Sequence, residues 1–146
     1  MKAQNLVKIT FPSKSVNEAF ARGALASFVA ALDPTVEQLA DIKTAVSEAV
    51  TNAVVHAYPD TVGAITITAA IYDGGRLVIS IADKGLGIAD VKKAMEPLFT
   101  TGGGERAGLG FAVMESFMDA VRVRSTPGKG TRVTLTKRMN SRADNT

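Results

Sequence analysis

Ser47-Glu48-Ala49-Val50-Thr51-Asn52-Ala53 decides how this chain of 146 residues is read. It continues an apolar periodicity that begins near Val36, and the spacing predicts a helix. On that helix Glu48 and Asn52 stand four residues apart, on one face and on adjacent turns. A carboxylate and a neutral amide so placed converge on one ligand. Two glycine-bearing stretches follow, Asp83-Lys84-Gly85-Leu86-Gly87 and Gly108-Leu109-Gly110. Either alone is a weak signal, because glycine doublets and polar pairs at helical spacing recur by chance. In this order after Glu48 and Asn52, they describe an ATP site.

The elements around these motifs read as α+β. Residues 5–11 alternate apolar and polar side chains as a first strand. Ser13 or Ser15 can cap the next helix, whose inner stripe reads as Val16, Phe20, Ala24, Phe28 and Ala31. Pro34 or Thr35 opens the second helix, with Val36, Leu39, Ala40, Lys43, Val46, Val50, Ala53 and Val54 facing inward. Residues 64–72 and 77–82 form an antiparallel pair about Asp73-Gly74-Gly75, and Val78, Ile79 and Ile81 suggest a strand buried on both sides. Asp83 falls where that central strand runs out. Residues 88–95 read as a short helix, 97–107 as a mobile lid, and a further helix begins at Leu109, with Phe111, Met114 and Phe117 on its inner face. Strands at 121–125 and 131–137 close the chain.

Composition sets the frame. With 46% hydrophobic residues the chain reads as one domain over 1–138, followed by a polar tail at 139–146. Cysteine is absent, which excludes disulfides, a thiolate nucleophile and a zinc-thiolate site. No apolar h-region or span-length apolar run is present, so the expectation is a cytoplasmic protein with no membrane role. A net charge of +3 with Lys137, Arg138 and Arg142 near the end reads as a solvated basic terminus, not a nucleic-acid surface.

Each motif residue has a chemical role open to it. Mg²⁺ must bridge the phosphates of ATP and prefers oxygen ligands, of which Asn52 offers one. Glu48 suits a general base that takes the proton of an attacking hydroxyl. Asp83 can accept a hydrogen bond from the exocyclic amine of adenine, where guanine presents a carbonyl. Gly85 and Gly87 admit close approach of backbone to base and ribose. Gly108 and Gly110 precede a helix N-terminus, which favours phosphate, and Arg106 beside them can stabilise γ-phosphate charge. Taken singly, each has a plainer reading: Glu48 and Asn52 as surface polar residues, Asp83 as part of a turn, Arg106 as a solvated lid charge. His56, the one histidine, reads as packing at the helix end, and Phe20, Phe28, Phe111 and Phe117 read as core.

From the second helix through Thr136, the chain resembles the GHKL ATPases and kinases, whose fold is the Bergerat ATP-binding sandwich. Glu48-Ala49-Val50-Thr51-Asn52 resembles their N box, Asp83 to Gly87 the first glycine box, and Gly108-Leu109-Gly110 the second. Gly130-Thr131 resembles their closing Gly-Thr element. The implied fold is a mixed, mostly antiparallel sheet covered on one face by helices. Within the superfamily the likeness is greatest to the anti-sigma kinases of endospore-forming bacteria. It rests on Leu32-Asp33-Pro34-Thr35, Val46 to Ala53, Pro97-Leu98-Phe99-Thr100-Thr101 and Gly108-Leu109-Gly110-Phe111. This resemblance implies ATP and Mg²⁺ as cofactors, with Thr100, Thr101 and Thr131 among the nucleotide contacts. It also implies a homodimer, a sporulation sigma factor as inhibited partner, and an anti-anti-sigma protein phosphorylated on serine. Arg22 matches a partner-contacting arginine of that family. Gly102-Gly103-Gly104 departs from its charged lids and implies a looser one. Two alternatives stand beside this reading: an anti-sigma kinase of a general stress response, and a binding module that uses ATP without phosphotransfer.

Overall fold

The computed structural model describes residues 2–96 and 104–139, with the backbone alone over 104–109. Five strands form one sheet: β1 (Asn5–Pro12), β2 (Ala64–Tyr72), β3 (Arg76–Asp83), β4 (Ala120–Thr126) and β5 (Gly130–Arg138), in the order β1-β2-β3-β5-β4. All four pairings are antiparallel. The helices are α1 (Asn17–Val29), α2 (Val36–Asn52), α3 (Val91–Ala94) and α4 (Gly104–Phe117). α2 packs between α1 and α4.

Alternation along the strands places the core between this helical layer and one face of the sheet. Ile65, Ile67, Leu77, Ile79, Ile81 and Leu135 are fully or almost fully buried there. Each such side chain contributes about 1.5–3 kcal/mol of hydrophobic burial. β3 is central, yet Val78, Ser80 and Ala82 on its other face are only half-buried, so it is covered on one side, not two. α1 also differs from its expected orientation. Val29, Leu25 and Ala21 face the core, while Val16 and Phe20 point outward at 75% and 58% exposure. Large aromatic side chains suggested the wrong stripe, and the true one is displaced by a single position. No serine caps α1: Val16 holds the N-cap position, and the buried Ser13 hydroxyl instead accepts from the Gly63 amide at 3.0 Å.

α2 begins as expected. Thr35 and Gln38 form a reciprocal capping box, with bonds of 3.0 and 2.9 Å, worth about 1 kcal/mol. Ile42, Ala45, Val46, Ala49 and Val50 make its buried stripe, whereas Val36 is exposed. Beyond Asn52 the helix widens into a π turn, Ala53–Ala57, which ends at Tyr58. α4 begins at Gly104, five residues before the expected Leu109, and buries Phe111, Met114 and Met118. Its far end is held by Lys137, whose Nζ donates to the Phe117 carbonyl at 2.7 Å and lies 3.9 Å from Asp41.

Candidate functional site

A cleft opens where α2 and its π turn, the end of β3, the start of β5 and α4 converge. Its walls include Asn52, His56, Ile81, Asp83, Phe111 and Thr131. An apolar floor with a few convergent polar groups suits a flat heteroaromatic base.

Asp83 is the last residue of β3 and is paired on both sides, with Ile65 of β2 and Thr131 of β5. Its Oδ1 accepts from the amides of Gly85 at 2.9 Å and Thr131 at 3.2 Å. One carboxylate oxygen is thereby fixed by backbone, which leaves Oδ2 to read a ligand donor. Burial pushes the Asp83 carboxyl above its ordinary value, although the Gly85 and Thr131 amides pull it back down. Gly130 makes this possible: its φ is +125°, and a Cβ there would lie 2.1 Å from the Asp83 carbonyl oxygen. The Gly130-Thr131 pair is therefore an anchor for Asp83 as well as a strand start.

The first glycine stretch is packed tightly against the rest of the chain. A Cβ on Gly85 would lie 2.2 Å from the Ala57 carbonyl oxygen, and one on Gly87 would lie 2.3 Å from that of Thr126. On the side where a Cβ would stand, these glycines pack against the protein's own backbone, and Gly87 also lines the cleft. Leu86 N–H donates to the Ala57 carbonyl at 3.0 Å, and Gly128 N–H to the Leu86 carbonyl at 2.7 Å, so the loop is laced to the π turn and to the β4–β5 turn. Ser125 adds a third tie, accepting from Ile88 N–H at 2.6 Å and pairing with the Thr131 hydroxyl at 2.8 Å.

Glu48 and Asn52 meet the second glycine stretch directly. A Cβ on Gly110 would stand 2.9 Å from Asn52 Nδ2 and 3.3 Å from Glu48 Oε2. Gly108 and Gly110 lie inside α4 and do not precede its N-terminus, which falls at Gly104. What Gly110 provides is contact between α4 and the polar pair on α2. Asn52 Nδ2 is buried with no hydrogen-bond partner among the described residues. Left so, a buried amide costs about 1–3 kcal/mol, which a ligand's oxygen would recover. No cluster of three or more acidic, histidine or cysteine side chains suited to a metal occurs among the described residues. A single amide oxygen fits Mg²⁺ only when phosphate and water supply the remaining ligands, which is the usual manner of Mg²⁺ on a nucleotide.

Glu48 also faces a second, polar groove with Arg22, Lys43, Thr44 and Ser47. Arg22 pairs with Glu18 at 3.3 Å, and the Ser47 hydroxyl donates to the same Glu18 oxygen. Thus the two expected α2 residues are brought together with Gly110, and Asp83 with Thr131 on the other cleft wall. Thr100 and Thr101 lie outside the described residues, as do Gly102, Gly103 and the tail from residue 140. Arg106 and Gly108 are described only as backbone within α4. His56 was missed as a cleft residue. Its position four beyond Asn52, in register with Glu48 and Asn52, was the available signal.

This arrangement defines an α+β sandwich with an apolar cleft between helices and sheet. A family model described as the histidine kinase-like ATPase domain matches residues 11–137. The anti-sigma F factor of Caldanaerobacter subterraneus subsp. tengcongensis is 57% identical over 138 residues, covering 94% of this chain and 96% of that one. That of Pasteuria penetrans is 51% identical, with 94% and 93% covered. The chain belongs to the anti-sigma F factor family. Among solved structures, the RsbU and RsbW domains of Rv1364c from Mycobacterium tuberculosis align with a TM-score of 0.68 at 26% identity. That alignment covers 93% of this chain and 32% of the other. Full-length ShkA in complex with AMPPNP shares the fold, with a TM-score of 0.58 at 21% identity over 97% of this chain and 32% of that one.

Proposed function

We propose that this chain is an ATP-dependent serine protein kinase that also holds a sporulation sigma factor inactive. Its phosphoacceptor is an anti-anti-sigma protein, and it acts as a homodimer in the cytoplasm. The observation that carries the kinase reading is the place of Glu48. Its carboxylate lies beside Asn52 and Gly110 on the nucleotide side and opens on the other to the groove of Arg22 and Lys43. A base with nucleotide on one hand and a protein-facing groove on the other suits transfer to a side chain of a second protein. Support for ATP comes from the histidine kinase-like ATPase domain and from a fold shared with a protein solved with AMPPNP. Support for the sigma factor comes from the family name.

In this reading Asp83 Oδ2 accepts from the adenine amine, and Asn52 holds the Mg²⁺. Mg²⁺ held there would supply charge neutralisation on the phosphates. Glu48 takes the proton from the acceptor serine as its oxygen attacks the γ-phosphorus. The bond from that phosphorus to the bridging oxygen breaks, and ADP leaves. Positioning does at least as much as proton transfer here, since phosphoryl transfer needs an in-line approach. Arg106, Thr100, Thr101, Gly108 and Gly110 belong to the phosphate side of the same proposal.

Intact-mass spectrometry of the anti-anti-sigma protein after incubation with this chain, Mg²⁺ and ATP tests the kinase. The expected result is a gain of one phosphate, located on serine by fragmentation. No gain on a folded acceptor, despite measurable ATP binding, would leave a nucleotide-gated binding module instead.

Arg22 serves both protein partners in this proposal. Arg22→Glu is expected to weaken each complex by roughly tenfold or more, the scale of a lost charged contact. ATP affinity should stay at the parental value, because Arg22 lies in the groove and not in the cleft. Equal partner binding by mutant and parent in a titration would remove Arg22 from the interface.

A further inference from the structure

At the exit of β3, the antiparallel ladder runs out just where Asp83 must be held. Asp83 is the last β3 residue paired with β2, opposite Ile65, so no strand hydrogen bond secures the Lys84 amide that follows. That amide instead donates to the hydroxyl of Tyr58 at 2.7 Å. The hydroxyl in turn donates a hydrogen bond to the carbonyl of Ala64, the first residue of β2, at 2.9 Å. One phenol thus bridges two strands at the point where they diverge, and it comes from the residue that ends the π turn.

Asp83 depends on this bridge. Its Oδ1 is fixed partly by the Gly85 amide, one residue past Lys84, so the direction of Oδ2 follows wherever the 84–85 peptide sits. The same turn of chain is held on its other side by the Ala57 carbonyl, the immediate neighbour of Tyr58. We propose that Tyr58 is a positioning residue for recognition of the nucleotide base: its hydroxyl sets the Lys84 peptide, and through it the aim of Asp83. This inference rests on the ATP reading above.

Gly63 is the partner that lets the ring lie where it does. A Cβ there would fall 2.2 Å from Tyr58 Cε1, inside the ring's van der Waals surface. The two positions therefore give independent perturbations. Tyr58→Phe removes the hydroxyl and keeps the ring, whereas Gly63→Ala keeps the hydroxyl and displaces the ring. Glu48 and Asn52 lie on α2 ahead of the π turn, so the transfer step itself should be untouched.

The test titrates ATP and GTP with Mg²⁺ against the full chain, in parent and both variants, and measures acceptor phosphorylation at saturating ATP. Tyr58→Phe is expected to raise the Kd for ATP about 3- to 10-fold, the scale of one hydrogen bond. The preference for ATP over GTP should shrink by a similar factor, with kcat within about twofold of the parent. The melting temperature should move by no more than about 3 °C, which separates misaiming from unfolding. Gly63→Ala should shift the nucleotide preference in the same direction. A Tyr58→Phe variant with parental Kd and parental preference would overturn the proposal, and so would equal losses for ATP and GTP. Absence of any adenine preference in the parent would overturn the ATP reading beneath it, a result distinguishable from the first two.

Discussion

Glu48→Gln is expected to bind ATP with parental affinity and to lose phosphotransfer by about 10²–10⁴-fold, the usual contribution of a positioned general base. Glutamine keeps the length of the side chain and its approach to Gly110, where Oε2 lies 3.3 Å from the Cβ position. It cannot accept a proton at neutral pH. Ground-state contacts to the nucleotide, carried by Asn52 and Asp83, should persist, so the loss falls on kcat with KM for ATP little changed. Single-turnover transfer to the acceptor, with ATP affinity measured separately, decides the matter. Transfer at the parental rate would mean that Glu48 is not the base. A parallel loss of ATP binding would place it among the phosphate or metal contacts instead.

Asp83→Asn should reduce ATP affinity by about 10- to 100-fold, the scale of a charge-assisted hydrogen bond. The argument is one of donors and acceptors. Asp83 Oδ1 already accepts from the amides of Gly85 and Thr131, and Oδ2 is the oxygen that the proposed reading assigns to the adenine amine. Asparagine has a single oxygen. Turned either way, it sets an N–H₂ group against a donor, either the two backbone amides or the base. The same substitution should narrow the gap between ATP and GTP, because the amide can donate to the guanine carbonyl.

Stability should respond in the opposite sense. Burial raises the Asp83 carboxyl above its ordinary value in the folded chain. A carboxyl so raised contributes stability at low pH that is lost as pH rises through its folded value, so ionised Asp83 is a cost to the fold at neutral pH. Asp83→Asn is therefore expected to melt at or above the parental temperature while binding ATP poorly. For the same reason, parental ATP affinity should begin to fall, on acidification, at a pH where an ordinary aspartate would still be ionised. Calorimetric melting beside a nucleotide titration across pH checks both signs.

Much of this architecture was legible in the sequence because its signals were local. The β2 and β3 strands about Asp73-Gly74-Gly75, the Thr35 start of α2 and the place of Asp83 at a strand end each follow from residues close in the chain. The errors arose where local signals competed. In α1, Phe20 and Phe28 outweighed the smaller Ala21, Leu25 and Val29 in any hydrophobic count, yet the tight contact with α2 selects the smaller set. In the glycine stretches, sequence alone says that a Cβ is forbidden, not what forbids it. At Gly85 and Gly87 the obstacle is backbone contributed by Ala57 and Thr126, residues distant in the chain. The roles of His56 and Tyr58 share that character, since both depend on where α2 ends relative to β3.

The π turn at Ala53–Ala57 has a consequence of another kind. An unbroken α-helix advances by a constant angle per residue, so Asn52 and the Ala57 carbonyl would keep a fixed relative bearing whatever their partners required. The wider turn resets that bearing at the helix's C-terminal end, letting α2 answer to α4 and the last turn to the loop after Asp83. Removing one residue between 53 and 57 would replace the wide turn with an ordinary α turn and take away the extra residue on which the Ala57 contact with Leu86 depends. The alignment of the two ends of the cleft thus depends on the number of residues in this turn. Length is constrained in this stretch alongside composition, since Ala53 and Ala57 are buried and His56 lines the cleft.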